Sequence, residues 1–163
     1  MARLLIVHHS PTRSMQSLLD AVMAGARHPE IEGVEVVVRP ALEATAEDVL
    51  AADGYLLGTP ANFGYMSGAL KHFFDSTFLA VGGSLSPDGT AVASEGSTAG
   101  RPFGLFLHGR YDLVGATRSV LSIVGALGWR QSAEIVQVLG SVEATDLEAA
   151  MDLGGTLAAL LTG

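Results

Sequence analysis

The chain contains no cysteine, which excludes disulfides, thiolate metal sites and any chemistry that needs a cysteine nucleophile. Charge is scarce: 16% of the 163 residues are charged, against about 25% in a typical globular chain. Lys71 is the one lysine, and eight arginines are scattered along the sequence. With a net charge of −8, no cluster of cations is left for a nucleic-acid footprint. A surface so poor in charge fits either a buried subunit interface, with a homodimer as the expected assembly, or an Ala-rich monomer. The acidic balance itself needs no explanation beyond solubility. No apolar run approaches the roughly 20 residues of a membrane span. The N-terminus enters a strand directly, without an h-region or a small-residue cleavage site, so a cytoplasmic protein is expected.

Several motifs are missing as well. There is no GxGxxG, no GxxxxGK[ST] and no GxSxG, which argues against the usual dinucleotide fingerprint, a P-loop nucleotide triphosphatase and an α/β-hydrolase. A phospho-acceptor receiver wants acidic residues after its first strand and an Asp ending its third; His8-His9 and Gly58-Thr59-Pro60 stand there instead. The histidines at 8, 9, 28, 72 and 108 show no metal-ligand spacing.

What is present is a 48% hydrophobic chain long enough for one domain, residues 1–163, with a substantial core. Strands alternate with helical patterns. Leu4 to His8 is continuously apolar, as a central strand covered on both faces should be. Met15, Leu18, Leu19, Val22, Met23 and Ala26 then recur at helical spacing. Val34 to Arg39 alternates, which suits an edge strand. A short helix over Ala46 to Ala51 precedes a third strand, Gly54 to Gly58, and Met66, Leu70, Phe73, Phe74 and Phe78 line up on the helix after it. Ala80 to Gly100 is rich in Gly, Ser, Ala and Thr around a Pro87-Asp88-Gly89 turn, and a stretch of this kind is either a functional lid or a flexible insert. Phe103 to His108 and Ile135 to Leu139 complete five strands. Gly128 stops the helix between them. Thr145 and Glu148 predict a capping box for the last helix, in which Gly154-Gly155 demands a kink or close packing.

This alternation predicts an α/β three-layer sandwich: a five-stranded parallel sheet in order 2-1-3-4-5 with helices on both faces. Ligands of such sheets bind beyond the carboxyl ends of the strands, at the switch point between strands one and three. Three loops leave from that end. His9 to Met15 reads HSPTRSM, and its hydroxyls beside a helix N-terminus serve either as caps or as a phosphate cradle. In Asp53 to Thr77 a strand runs into a turn whose Gly58 and Gly64 let backbone approach a flat ligand, or serve only the turn. His108 to Gly115 reads HGRYDLVG. Phe63, Tyr65 and Tyr111 offer aromatic contacts to an apolar ring, or pack. His9 and His108 can polarise a reacting group near neutral pH, or simply bond to backbone. Trp129 reads as a core or interface residue.

GTPANFGYMSGALKHFFD and LIVHHSPTRSM resemble flavodoxin-like FMN proteins, closest to the Wrb-type NAD(P)H:quinone oxidoreductases and related FMN reductases. The resemblance implies an FMN cofactor whose phosphate is surrounded by Ser10, Thr12, Arg13, Ser14, Met15 and Gln16. Thr59, Pro60, Ala61, Asn62, Phe63 and Gly64 would line one edge and face of the isoalloxazine. His108, Gly109, Arg110 and Tyr111 would line its pyrimidine side, with His108, Arg110 and Tyr111 as candidate catalytic residues. Ordinary flavodoxins carry a T-G-rich phosphate loop and Wrb-type chains a Gly/Ser/Thr-rich loop after strand four, and this sequence departs from both. Three functions follow: hydride transfer from NAD(P)H through FMN to a quinone-like small molecule, a one-electron carrier that docks on redox partners, or a module that has lost flavin and binds partners.

Overall fold

The computed structural model describes residues 1–92 and 96–163. Its sheet is built from β1 (Ala2–His8), β2 (Val34–Pro40), β3 (Gly54–Asn62), β7 (Pro102–Gly109), β8 (Arg130–Gln131) and β9 (Val136–Leu139), joined by a short β4 (Tyr65–Met66). The parallel order is β2-β1-β3-β7, with β8 and β9 both pairing with the outer side of β7. That is the expected 2-1-3-4-5 arrangement, with the fifth strand broken in two and an antiparallel β4 added beside β3.

Side chains of the central strands alternate between two cores, because successive residues of a strand point to opposite faces. Leu4, Ile6, Leu56 and Phe106 pack against α1 (Arg13–Ala26) and α5 (Ala144–Leu160). Leu5, Val7, Tyr55, Leu57, Leu105 and Leu107 face the layer that includes α2 (Ala46–Ala51), α3 (Gly68–Thr77) and α4 (Val114–Ala126). Val34, Val36 and Val38 of β2 join the first core from one face of an edge strand, as their alternation predicts.

Helices α1 and α5 cross at their glycines. A Cβ on Gly154 would overlap the Val22 carbonyl, and one on Gly25 would overlap the carbonyl of Met151. Close packing, rather than a break in α5, therefore accounts for Gly154-Gly155. The start of α5 differs from expectation. The Asp146 carboxylate accepts the Glu143 amide at 2.8 Å, so the helix begins ahead of Thr145. Met66 also lies outside α3, on β4, although it is buried.

The segment after α3 is rooted at the amino end of the sheet. Arg101 donates to the carbonyls of Val49, Leu50 and Ala52, at 3.1, 3.1 and 2.7 Å, just ahead of β3. Buried Thr98 donates to the Val81 carbonyl and accepts from the Trp129 indole at 2.8 Å. Trp129 stacks on Tyr55 with ring centroids 4.0 Å apart, which makes it a core residue. Within the segment, β5 (Ser84–Leu85) and β6 (Ala91–Val92) pair around the Pro87-Asp88-Gly89 turn, and residues 93–95 of the expected insert lie outside the described residues.

Candidate functional site

At the carboxyl end of the sheet the loop after β1 is held from three directions. Thr12 caps α1, its hydroxyl accepting the Met15 amide at 3.2 Å. The Gln16 side-chain amide donates to the Ser10 carbonyl at 3.3 Å, and His8 Nδ1 lies 2.9 Å from Ser10 Oγ. Burial, and secondarily the neighbouring His9, pushes the His8 pKa below its ordinary value. The amides of Arg13 and Ser14, the first two helical residues, find no acceptor among the described residues. Those are the orphan donors that a helix start leaves. The Arg13 guanidinium is exposed and has no carboxylate partner among the described residues. Free amides, hydroxyls and one unpaired cation at a helix start form a donor set suited to an anion. Met15 is a correction to the sequence reading: its side chain is fully buried in the core that α1 and α5 form with the sheet, and its amide is already bonded to Thr12.

Strand β3 continues past Gly58 to Asn62 and turns back as β4, with Ala61 opposite Met66 and Asn62 opposite Tyr65. Phe63 and Gly64 form a two-residue hairpin tip at φ 51° and 74°, the sign pattern of a type I′ turn. Gly64 suits that geometry, but for Phe63 it is a strained conformation. The Phe63 ring is fully exposed. Beneath the tip, the Gly64 carbonyl rests against Gly115 in the first turn of α4, where a Cβ would overlap it.

Three further expectations change here. Thr59 is wholly covered: its hydroxyl donates to the Pro60 carbonyl at 2.9 Å and accepts the Ser67 amide at 2.9 Å. Thr59 therefore fixes the return of the chain into α3 from behind, and Pro60 beside it is also buried. Gly58 makes room for a neighbour rather than for a ligand, since a Cβ there would collide with the Phe106 ring. His108 lies on the strand face shared with Phe106, and its Nε2 is 2.7 Å from the Gly140 carbonyl.

The loop after β7 meets the hairpin. Ala61, Asn62, Phe63, Gly64, Arg110, Tyr111 and Asp112 together line a cleft of about 420 Å³. Neither His108 nor any described residue of the 80–100 segment lines it. Gly109 sits behind the cleft, packed on Leu113 and Ala61. Tyr111 is exposed like Phe63, and Arg110 has no ion pair among the described residues. Asp112 accepts the Val114 amide at 2.9 Å and so ties the loop to the start of α4. The structure brings Ala61 to Gly64 together with Arg110 and Tyr111 in one cleft. Sequence reasoning passed over Asp112, legible only as the neighbour of Tyr111, and over His8, which reads as the last residue of an apolar strand. Among the described residues no cluster of His, Asp or Glu could hold a metal, and no helix is long and apolar enough to cross a membrane.

Comparison with known proteins bears on the family and the fold. The profile of the NADPH-dependent FMN reductase family matches residues 15–138. A protein named flavodoxin from Aquifex aeolicus is 35% identical over 61% of this chain and 52% of its own length. An NAD(P)H dehydrogenase (quinone) from Acidithiobacillus ferrooxidans is 30% identical over 60% of this chain and 55% of its own. The chain thus spans about half the length of these curated relatives. Among solved structures, a flavodoxin from the domain Archaea superposes with a TM-score of 0.77 at 15% identity, covering 99% of each chain. The flavodoxin, WrbA-like protein from Agrobacterium tumefaciens gives 0.73 at 17% identity, covering 99% of this chain and 98% of that one. The fold is therefore flavodoxin-like.

Proposed function

The chain belongs to the NADPH-dependent FMN reductase family, and on that premise we propose that it is an FMN-dependent oxidoreductase acting between a reduced nicotinamide and a quinone-like small molecule. One observation carries the reading. The free amides of Arg13 and Ser14 and the cleft between the 61–64 hairpin and the 110–112 loop open at the same end of the sheet. The residues there fit FMN: a donor set for a phosphate dianion at the start of α1, and an apolar cleft flanked by two exposed aromatic rings for a planar ring system.

FMN, when bound, would supply the redox chemistry that couples a reduced nicotinamide to a quinone-like acceptor. The protein's own part is binding and orientation. Ser10, Thr12, Arg13 and Ser14 hold the phosphate, with Gln16 bracing the Ser10 carbonyl. Ala61, Asn62, Phe63 and Gly64 carry one side of the ring, and Arg110, Tyr111 and Asp112 carry the other. Arg110, unpaired and exposed at the cleft, is the group that meets negative charge on ring or substrate, and Tyr111 covers the ring from water. His108 stands behind this surface and supports the loop through Gly140.

The test is to load the protein with FMN, remove free flavin, and follow visible absorbance anaerobically while adding NADPH and then NADH. Bleaching that a quinone reverses is the expected result. A bound flavin that stays oxidised overturns the reductase reading. It would favour the second reading, an electron carrier, which is supported by the 35% identity to a flavodoxin.

A further inference from the structure

We propose that His8 is a positioning residue for cofactor phosphate, acting through the hydroxyl of Ser10. This inference rests on the phosphate-loop reading above and adds a residue to it. His8 ends β1, opposite Pro40 of β2 and Gly58 of β3, and its ring nitrogen Nδ1 lies 2.9 Å from Ser10 Oγ. The backbone of the same serine is tethered by Gln16 at its carbonyl. Ser10 is thus fixed at two atoms, and only the direction of its hydroxyl proton is left to be decided.

That direction matters because a serine hydroxyl has one proton. If Nδ1 carries a lone pair, Ser10 donates its proton to the imidazole and presents oxygen lone pairs to an incoming phosphate dianion. The contact is then repulsive. If Nδ1 carries the proton, it donates to Ser10 Oγ, and the serine proton is free to point at a phosphate oxygen. The second arrangement makes Ser10 a donor in the same array as the free amides of Arg13 and Ser14. Phosphate binding through Ser10 therefore requires the Nδ1–H form of His8, whether neutral or protonated. His9, next in the chain, is the other titratable group that acts on it.

Three substitutions separate this role from simple packing. H8N keeps an N–H donor close to the position of Nδ1. H8A removes it, and H8D replaces it with an acceptor that claims the Ser10 proton. The readout is the ratio of affinities for FMN and riboflavin, which differ only in the phosphate, measured by flavin fluorescence on the full chain. The expected result is a ratio in H8N near that of the unmodified protein. H8A leaves the serine hydroxyl free to turn and should lose only a few-fold in FMN affinity, whereas H8D, which claims the Ser10 proton, should lose roughly 10- to 100-fold, the worth of one hydrogen bond to a charged acceptor, with riboflavin affinity unchanged in both. Equal losses for FMN and riboflavin, or an unchanged ratio in H8A and H8D, overturn the proposal. If the unmodified protein itself binds FMN no better than riboflavin, the phosphate-loop reading fails first, and the two failures are told apart.

Discussion

The hairpin tip stores strain where the ring system would sit, and F63N should expose it. Phe63 adopts φ 51°, a conformation that costs an L-residue with a bulky side chain about 1–2 kcal/mol. Its ring is at 109% of reference exposure, so removing it forfeits no packing in the free protein. Asn followed by Gly is the favoured pair for a turn with both central residues at positive φ. Apoprotein stability should therefore rise by about 1 kcal/mol, a shift of about 2–4 °C in Tm for a chain of this size. Flavin affinity should move the other way. An aromatic contact is worth about 0.5–1.5 kcal/mol beyond the area it buries, so FMN and riboflavin should both bind about 10-fold more weakly. Urea unfolding of the apoprotein and a fluorescence titration measure the two halves separately. An F63N protein no more stable than the unmodified one refutes the strain, and unchanged affinity for both flavins refutes the ring contact.

Other substitutions probe the frame behind the site. G115A places a methyl against the Gly64 carbonyl. Because α4 is anchored in the core by Ala116, Val120 and Val124, the hairpin must yield, which should cost the apoprotein about 1–3 kcal/mol in urea unfolding and weaken flavin binding as well. Neighbouring glycines of α5 should respond oppositely. G154A collides with the Val22 carbonyl and should lower stability by about 1–3 kcal/mol. G155A meets Gly25 only at 3.5 Å and should raise stability by about 0.5–1 kcal/mol through helix propensity, both read from urea unfolding. The His8 pKa is held below its ordinary 6.5 by burial and by His9. The unfolded chain therefore takes up the proton first as pH falls, so this residue's contribution is whole above about pH 6.5 and declines below it. The apoprotein's urea midpoint should fall from pH 7.5 to 5.5 more steeply than that of H8N, and identical slopes would refute the assignment.

The layer order was legible because the apolar runs differ in kind. Leu4 to His8 is unbroken and central, whereas the valines of Val34 to Arg39 alternate and lie at the edge. The cleft was legible as two loops but not as a shape. Pro60 reads as the end of a strand, yet β3 continues through it to Asn62. The reason is local: β1 pairs with β3 only as far as His8 opposite Gly58, so the N–H that proline lacks costs no ladder bond on that side. With the strand extended, the expected open turn becomes a hairpin, Thr59 is covered, and an aromatic residue occupies a left-handed position that no propensity would assign to it. His108 misled for a related reason. Its place at a strand end was right, but alternation along β7 carries it to the face of Phe106, away from Ala61 and Tyr111. The cap of α5 slipped by two residues because Thr145 offers the usual signature, while the capping bond runs from the Glu143 amide to the Asp146 carboxylate.

The stack of Trp129 on Tyr55 equips the chain with an internal ruler. Trp129 is the sole tryptophan and precedes Arg130, which pairs with Pro102 at the start of β7. The cleft lies past Gly109 at the other end of that strand, and the run from Phe103 to Gly109 at about 3.3 Å per residue places the two roughly 20 Å apart. Indole emission overlaps flavin absorption, so a flavin seated in the cleft would drain Trp129 fluorescence by energy transfer over a span fixed by one strand. Any movement of the hairpin or the 110–112 loop would then register as a change in that transfer, with no dye attached and no residue replaced.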